Sequence, residues 1–210
     1  MKKIMPIVIG IVVAIGLILI LGQYQEPSTT KSEAPTDSQY INANSLLIQA
    51  LAERQIQMSS PIKISSPENI EKYCSLFASE EKQQLIKYCT STEVKNQNGE
   101  FLGNIHMVGT LDTPQVVMAL IQTDKDASQL DSAKNVFETV TESLICNCWS
   151  EQKPGGLNSI DSWVDGLWQF HQTDTKPHSK SNTLKLDGKS LQLELTTNND
   201  GYLWKFLIYN

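Results

Sequence analysis

Arginine and histidine are scarce in this sequence. Among its 210 residues there is one arginine, Arg54, and there are three histidines, His106, His171 and His178. Proteins that bind nucleic acid neutralise phosphates with basic side chains, and the forked guanidinium of arginine is favoured in that role. Because the formal net charge is −6, we expect no nucleic-acid partner.

Motifs of common catalytic sites are also absent. The sequence contains no G-x-S-x-G, H-E-x-x-H, P-loop or G-x-G-x-x-G pattern. No residue is therefore assigned a catalytic role, and an enzyme is the less favoured interpretation. One enzymatic alternative is a hydrolase in which His106, on a strand beside Asn104 and Thr110, acts as a base, but no second residue completes that site.

A single long hydrophobic run stands at the start of the sequence. Residues 4–22 carry no charge, and a helix of this length would span about 28 Å, close to the roughly 30 Å core of a bilayer. Lys2 and Lys3 precede the run, which places the N-terminus in the cytoplasm and the rest of the chain outside. We therefore predict that residues 1–22 are the cytoplasmic tip and transmembrane anchor of a single-pass membrane protein. A cleaved signal peptide is the alternative.

A polar segment and a longer, more varied one follow the anchor. Residues 23–39 are rich in Ser, Thr, Pro and Glu and contain no apolar cluster, so we predict a disordered stalk. Residues 40–210 are numerous enough for one extracytoplasmic domain with its own core. Since Lys2 and Lys3 lie before the anchor, 15 of the 17 basic residues face 23 acidic ones outside. The domain is therefore acidic and poorly suited to lie on anionic lipid.

Apolar residues recur first at helical spacing and then at alternate positions, and this order occurs twice. The predicted helices cover residues 42–58, 66–77, 79–89, 127–147 and 159–171, and the predicted strands cover residues 91–95, 100–111, 115–123, 183–186, 190–197 and 202–209. Asn98-Gly99 and Asp187-Gly188 are typical of tight hairpin turns. The pattern predicts an α+β domain with helices packed on one face of an antiparallel sheet. A second interpretation adds an internal repeat of two helix–helix–three-strand units.

Four cysteines, Cys74, Cys89, Cys146 and Cys148, lie on the predicted outer side. An even number of cysteines in an oxidising compartment favours disulfides. A bond between Cys146 and Cys148 would close a ring of about eleven atoms, which we expect to be strained. A bond between Cys74 and Cys89 requires the chain to reverse between them. The remaining pairings link Cys74 and Cys89 to Cys146 and Cys148, and the connectivity stays open at this point.

The Cys146-x-Cys148 pair also supports an alternative function. Together with His171 and His178 it could bind zinc or copper(I), since both metals accept thiolate and imidazole ligands. The spacing differs from the C-x2-C of zinc ribbons. A C-x-C disulfide could instead exchange with other thiols. The alternative is thus a metal-handling or thiol-redox protein, whereas the favoured interpretation needs no cofactor.

Binding is the favoured function. A tether, an acidic domain outside the membrane and a set of cysteines suited to disulfides are typical of an accessory domain that binds an envelope protein or a small ligand. The membrane is contacted through the N-terminal helix only.

Overall fold

The computed structural model describes residues 38–74, 80–173 and 176–210, which belong to one compact unit. The predicted anchor lies outside the described residues, as does the predicted stalk except for Ser38 and Gln39. Those two residues begin the first helix, which therefore starts four positions earlier than predicted. Within the described part of the chain, no helix has both the length and the apolarity needed to cross a membrane.

The strands form one nine-stranded antiparallel sheet, and the α+β prediction is confirmed. The strands are β1 (Gln57–Met58), β2 (Ile62–Ile64), β3 (Tyr88–Lys95), β4 (Phe101–Gly109), β5 (Pro114–Thr123), β6 (His178–Lys180), β7 (Leu184–Leu186), β8 (Lys189–Thr197) and β9 (Tyr202–Tyr209). Their order is β1-β3-β4-β5-β9-β8-β6, with β2 also paired to β3 and β7 also paired to β8. The late strand β9 is central, as its apolar character on both faces predicts.

Of the described helices, three precede β3 and three lie between β5 and β6. They are α1 (Ser38–Glu53), α2 (Pro67–Tyr73), α3 (Glu80–Gln83), α4 (Leu130–Leu144), α5 (Trp149–Gln152) and α6 (Ile160–Thr173), and a 3-10 turn covers Pro154–Gly156. The start of α2 is set by its sequence. The Ser66 side chain accepts a hydrogen bond from the backbone N–H of Asn69, and Pro67 occupies a first-turn position that needs no N–H donor.

One face of the sheet packs against α1, α4 and α6. Alternate strand residues point to this face, and Phe206 of β9 lies near its middle. The Phe206 ring lies 5.2 Å from that of Phe137 in α4 and 6.0 Å from that of Trp163 in α6, measured between centroids. Phe137 and Phe206 are almost completely buried. Burial of these aromatic side chains holds α4 and α6 on the same face of the sheet.

The second face of the sheet also carries helical structure, so the prediction that helices cover one face is wrong. Ile70 and Cys74 pack with Cys89 of β3 and Val108 of β4 in a separate apolar cluster. Cys89 and Val108 are paired in register and point away from α1. Val116 of β5 packs against the same cluster. The N-terminal part of the chain therefore wraps from one face to the other around β2.

Several large apolar residues within the predicted helices are exposed. Leu46, Tyr73, Leu85 and Phe170 each keep about half or more of their side-chain surface in solvent. The predicted helix over residues 79–89 ends at Gln83, and β3 begins at Tyr88. Pairing with β4 explains this difference, because long-range strand contacts override a helical spacing over a short segment.

Candidate functional site

The cysteines pair locally. Cys74 is bonded to Cys89, with 6.6 Å between their Cα atoms, and Cys146 is bonded to Cys148, with 5.2 Å between theirs. Two disulfides are formed among the four candidate cysteines, as expected, and of the pairings left open by the sequence the local ones occur and the cross-links to the C-x-C pair do not. The long helix ends at Leu144, so Cys146 and Cys148 lie in the turn after it and not on its buried stripe. Residues 75–79, which follow Cys74, lie outside the described residues.

The two disulfides have different surroundings. Cys74 and Cys89 are fully buried in the second-face cluster, where the bond fixes the end of α2 to the sheet. Cys146 and Cys148 are partly buried and pack against the main core. The first bond is therefore suited to a structural role. The second is less deeply buried.

The amide of Gln152 connects the C-x-C turn to the β7–β8 hairpin. Its Oε1 accepts a hydrogen bond from the backbone N–H of Asp187 at 3.1 Å, and its Nε2 donates to Sγ of Cys148 at 3.2 Å. Asp187 and Gly188 have φ values of 46° and 77°, as a two-residue type I′ turn requires. The hairpin predicted from Asp-Gly is confirmed, and it orients a polar group toward the sulfur.

The three histidines occupy three separate environments. His171 is buried, and its ring nitrogens lie 2.7 Å from the hydroxyls of Ser179 and Thr197. His178 is exposed, with Nδ1 2.9 Å from the Thr196 hydroxyl. These contacts are typical of side chains that join α6, β6 and β8. His171 therefore serves as a packed, hydrogen-bonded residue at the end of α6.

His106 is half-buried on the second face of β4. Its partners in register are Ser91 of β3 and Met118 of β5. Burial lowers the pKa of His106 below its usual 6.5, which favours the neutral ring. Across residues 38–74, 80–173 and 176–210, no carboxylate hydrogen-bonds to this ring. The arrangement offers a neutral imidazole without the orienting acid of a catalytic triad.

Metal ligation by the predicted set finds no support in the geometry. Both sulfurs of the C-x-C pair are bonded to each other. In the described part of the chain, no three or more His, Cys, Asp or Glu side chains lie close enough together to hold a metal ion. Binding of zinc or copper by Cys146, Cys148, His171 and His178 stays a prediction that would need the disulfide to be reduced first.

The sequence did not predict a groove on the second face of the sheet. The groove has a volume of about 670 Å³ and is bounded at one end by Leu85 and Ile86. Its apolar lining includes Val116, Met118, Leu207 and Tyr209, and its polar lining includes Lys180, Gln192, Glu194 and Lys205. We call this groove, together with the neighbouring half-exposed Leu120 and Leu203, the open face. Periodicity alone could have indicated it, because β5 and β9 are apolar on both faces.

Glu194 lies between two lysines in this groove. Its two carboxylate oxygens bind Nζ of Lys180 at 3.2 Å and Nζ of Lys205 at 2.5 Å. Burial alone would raise the pKa of Glu194, but the hydrogen bonds and positive charges of Lys205 and Lys180 outweigh it and lower the pKa below 4.5. The carboxylate is therefore ionised at neutral pH. Two ammonium groups and one carboxylate give this part of an acidic chain a local charge of +1.

Comparison with known proteins gives no relative. No protein-family model, no curated protein and no solved structure matches this chain. The open face and the Cys146–Cys148 disulfide are therefore the features from which function can be argued.

Proposed function

We propose that this chain is a membrane-anchored extracytoplasmic accessory domain whose open face binds an extended segment of an envelope protein. The groove between Leu85 and Lys180 is the observation that carries this proposal. Leu207 and Tyr209 of β9 lie half-exposed at its centre. A partner that covers them would gain the free energy of apolar burial, about 25 cal/mol for each Å² removed from water.

Charge complementarity specifies the occupant further. Lys180 and Lys205 share the single carboxylate of Glu194, so each ammonium group has N–H donors beyond the one that binds Glu194. A carboxylate in the partner would accept hydrogen bonds from both ammonium groups. We therefore infer that the bound segment alternates apolar side chains with polar ones and places an acidic residue beside Lys205.

The anchor and the stalk complete the proposal. Residues 1–22 would hold the domain at the outer surface of the cytoplasmic membrane, and residues 23–39 would let it reach a neighbouring protein. An internal repeat of two helix–helix–three-strand units fits the antiparallel pairing of β5 with β9, the last strands of the two halves. This pairing would place a pseudo-two-fold axis at the centre of the open face.

A peptide-binding measurement tests the proposed site. The probes are extended peptides with leucine at alternate positions and glutamate, glutamine or lysine at the centre. We expect the glutamate peptide to bind most tightly, and we expect Leu207→Gln to weaken its binding about tenfold or more because an apolar contact is lost. Phe170→Gln is the matched control, since Phe170 is an exposed apolar residue of α6. Equal binding of all three peptides, or equal effects of the two substitutions, would contradict the proposal. If the natural occupant of the groove is a small ligand and not a peptide segment, none of the three peptides should bind.

The second candidate is a thiol-redox or metal-handling protein that uses Cys146 and Cys148. The partly buried disulfide between them, which joins residues two positions apart, favours it. Reduction of this bond followed by elemental analysis after exposure to zinc or copper(I) separates its two forms. Stoichiometric metal that is lost in Cys146→Ser supports metal handling, whereas a metal-free dithiol restricts this candidate to redox chemistry.

A further inference from the structure

We propose that the Cys146–Cys148 disulfide accepts two electrons from a protein dithiol, with Cys146 as the attacked sulfur and Cys148 as the leaving sulfur. This activity lies beyond the proposed binding role and does not depend on the open face. For the thiol-redox alternative, it states that electrons pass from the substrate to this chain, and it names protein dithiols as the class of substrate.

Access separates this disulfide from the other one. A thiolate must approach along the S–S bond, and exchange is fast only where the sulfur can be reached. Cys146 and Cys148 are only partly buried, whereas Cys74 and Cys89 are fully buried. One intervening residue also places the second thiol of the reduced pair beside the first, so a mixed disulfide at either sulfur could be resolved within the turn.

The hydrogen bond from Gln152 makes the two sulfurs unequal. The Oε1 of its amide is occupied by the backbone N–H of Asp187, and this contact directs Nε2–H toward Sγ of Cys148. A hydrogen bond strengthens when its acceptor gains negative charge. The amide therefore stabilises Cys148 as a thiolate more than as a disulfide sulfur, which makes it the better leaving group.

The end of α4 disfavours negative charge on Cys146. The carbonyl of Thr141 accepts hydrogen bonds from the N–H groups of Ile145 and Cys146, at 2.9 and 3.2 Å, so Cys146 follows directly on the last turn of α4. The C-terminal end of a fifteen-residue helix carries partial negative charge. The hydrogen bond from Gln152 to Cys148 and the end of α4 beside Cys146 therefore both favour Cys148 as the leaving sulfur.

The exchange balances without a further reactant. A substrate thiol loses its proton to water, and its thiolate attacks Sγ of Cys146. The S–S bond breaks, and its electron pair stays on Sγ of Cys148, which takes a proton from water. The second substrate thiolate then attacks the substrate sulfur of the mixed disulfide and releases Cys146, which is protonated in turn. The substrate becomes a disulfide, and this chain gains two electrons and two protons.

A single-cysteine peptide identifies the attacked sulfur. The oxidised full chain in detergent is mixed with the peptide, acidified to stop exchange and mapped by mass spectrometry after proteolysis. We expect the peptide on Cys146, with the Cys74–Cys89 bond intact. Adducts mainly on Cys148, or equal reaction at both disulfides, would overturn the proposal.

Substitution of Gln152 tests the leaving-group role. Gln152→Glu keeps an oxygen that accepts from Asp187 but removes the donor to sulfur. We expect reduction by a dithiol peptide to slow at least about fivefold, with an unchanged melting temperature. Gln169→Glu, an exposed residue of α6, is the charge-matched control and should leave the rate unchanged. Equal rates in Gln152→Glu and wild type would remove Gln152 from the mechanism and overturn the assignment of Cys148.

Discussion

Glu194 is an acidic side chain that stays ionised in a nearly buried position. Its pKa is lowered because hydrogen bonds from Lys205 and Lys180 outweigh the effect of burial. A carboxylate whose pKa is lowered by folding stabilises the folded state above its unfolded pKa, and this stabilisation is lost as the pH falls through the folded value. The charged triad should therefore contribute fully above pH 4.5 and progressively less below it.

We expect Glu194→Gln to lower the free energy of unfolding by about 1–3 kcal/mol at neutral pH, because two ammonium groups lose their shared carboxylate. Urea unfolding at neutral pH and again well below pH 4.5 measures the effect. The difference from wild type should shrink in acid. Glu93→Gln is the control, since its exposed pair with Lys95 should contribute less than about 1 kcal/mol. A pH-independent effect of Glu194→Gln would contradict this account.

His106 gives a second pH-dependent prediction. Burial lowers its pKa in the folded protein below 6.5, so folding favours the neutral ring. The stabilisation from this ring is present above pH 6.5 and is lost as the pH falls through the folded pKa. An NMR titration of the three histidine rings should find His106 protonating below pH 6.5. A value at or above 6.5 would mean that the ring is more solvated or paired than the contacts of β4 indicate.

At the scale of elements, the two disulfides should contribute unequally to stability. The Cys74–Cys89 bond joins residues 15 positions apart and ties the end of α2 to the second face of the sheet. Its removal by the paired change Cys74→Ser and Cys89→Ser should cost about 3 kcal/mol in the chain-entropy picture. Cys146→Ser with Cys148→Ser is the matched control, and since it opens a loop of only two positions it should cost less. Thermal unfolding of both double variants measures the contrast, and a larger loss in the control would reverse the assigned roles.

The elements that the sequence predicts well are those with strong local signals. β4, β5, β8 and β9 combine alternating or continuous apolar residues with Asn-Gly or Asp-Gly turns, and the structure has them close to the predicted bounds. The segment around Leu85 and Tyr88 misleads, because its apolar residues fit a helical spacing while its backbone pairs with β4. No local signal reports which strand will be the partner.

The site residues were less predictable for the same reason. The cysteines were identified, but their pairing depends on where α4 ends and how α2 packs, and neither follows from the spacing of four residues. Lys180, Glu194 and Lys205 come from three strands that meet only through sheet order. In the sequence, each of these three residues looks like an ordinary charged residue of the protein surface.

At the scale of the whole molecule, attachment to the membrane is the property to measure. The full chain should stay with membranes after an alkaline carbonate wash if residues 1–22 form an uncleaved anchor. If that anchor is what holds the protein to the membrane, a chain that begins at residue 38 should no longer sediment with membranes, because it lacks residues 1–22. Measurement of the intact mass distinguishes an uncleaved anchor from a cleaved signal peptide, because cleavage would remove the N-terminal residues. The processed chain would then also be released from the membrane.

The pairing of β5 with β9 has a consequence for how the domain folds. Thr123 pairs with Tyr202 and Val116 with Tyr209, so the centre of the sheet joins strands that are distant along the chain. Contacts of this kind form slowly, because a long loop must close before they are made. Until β9 arrives, β5 presents a ten-residue edge with apolar side chains on both faces, which can pair with another molecule. A chain exported in the unfolded state would spend this interval outside the cytoplasm. This interval is therefore when we expect the chain to be most prone to aggregation, and β9 ends it by covering the β5 edge.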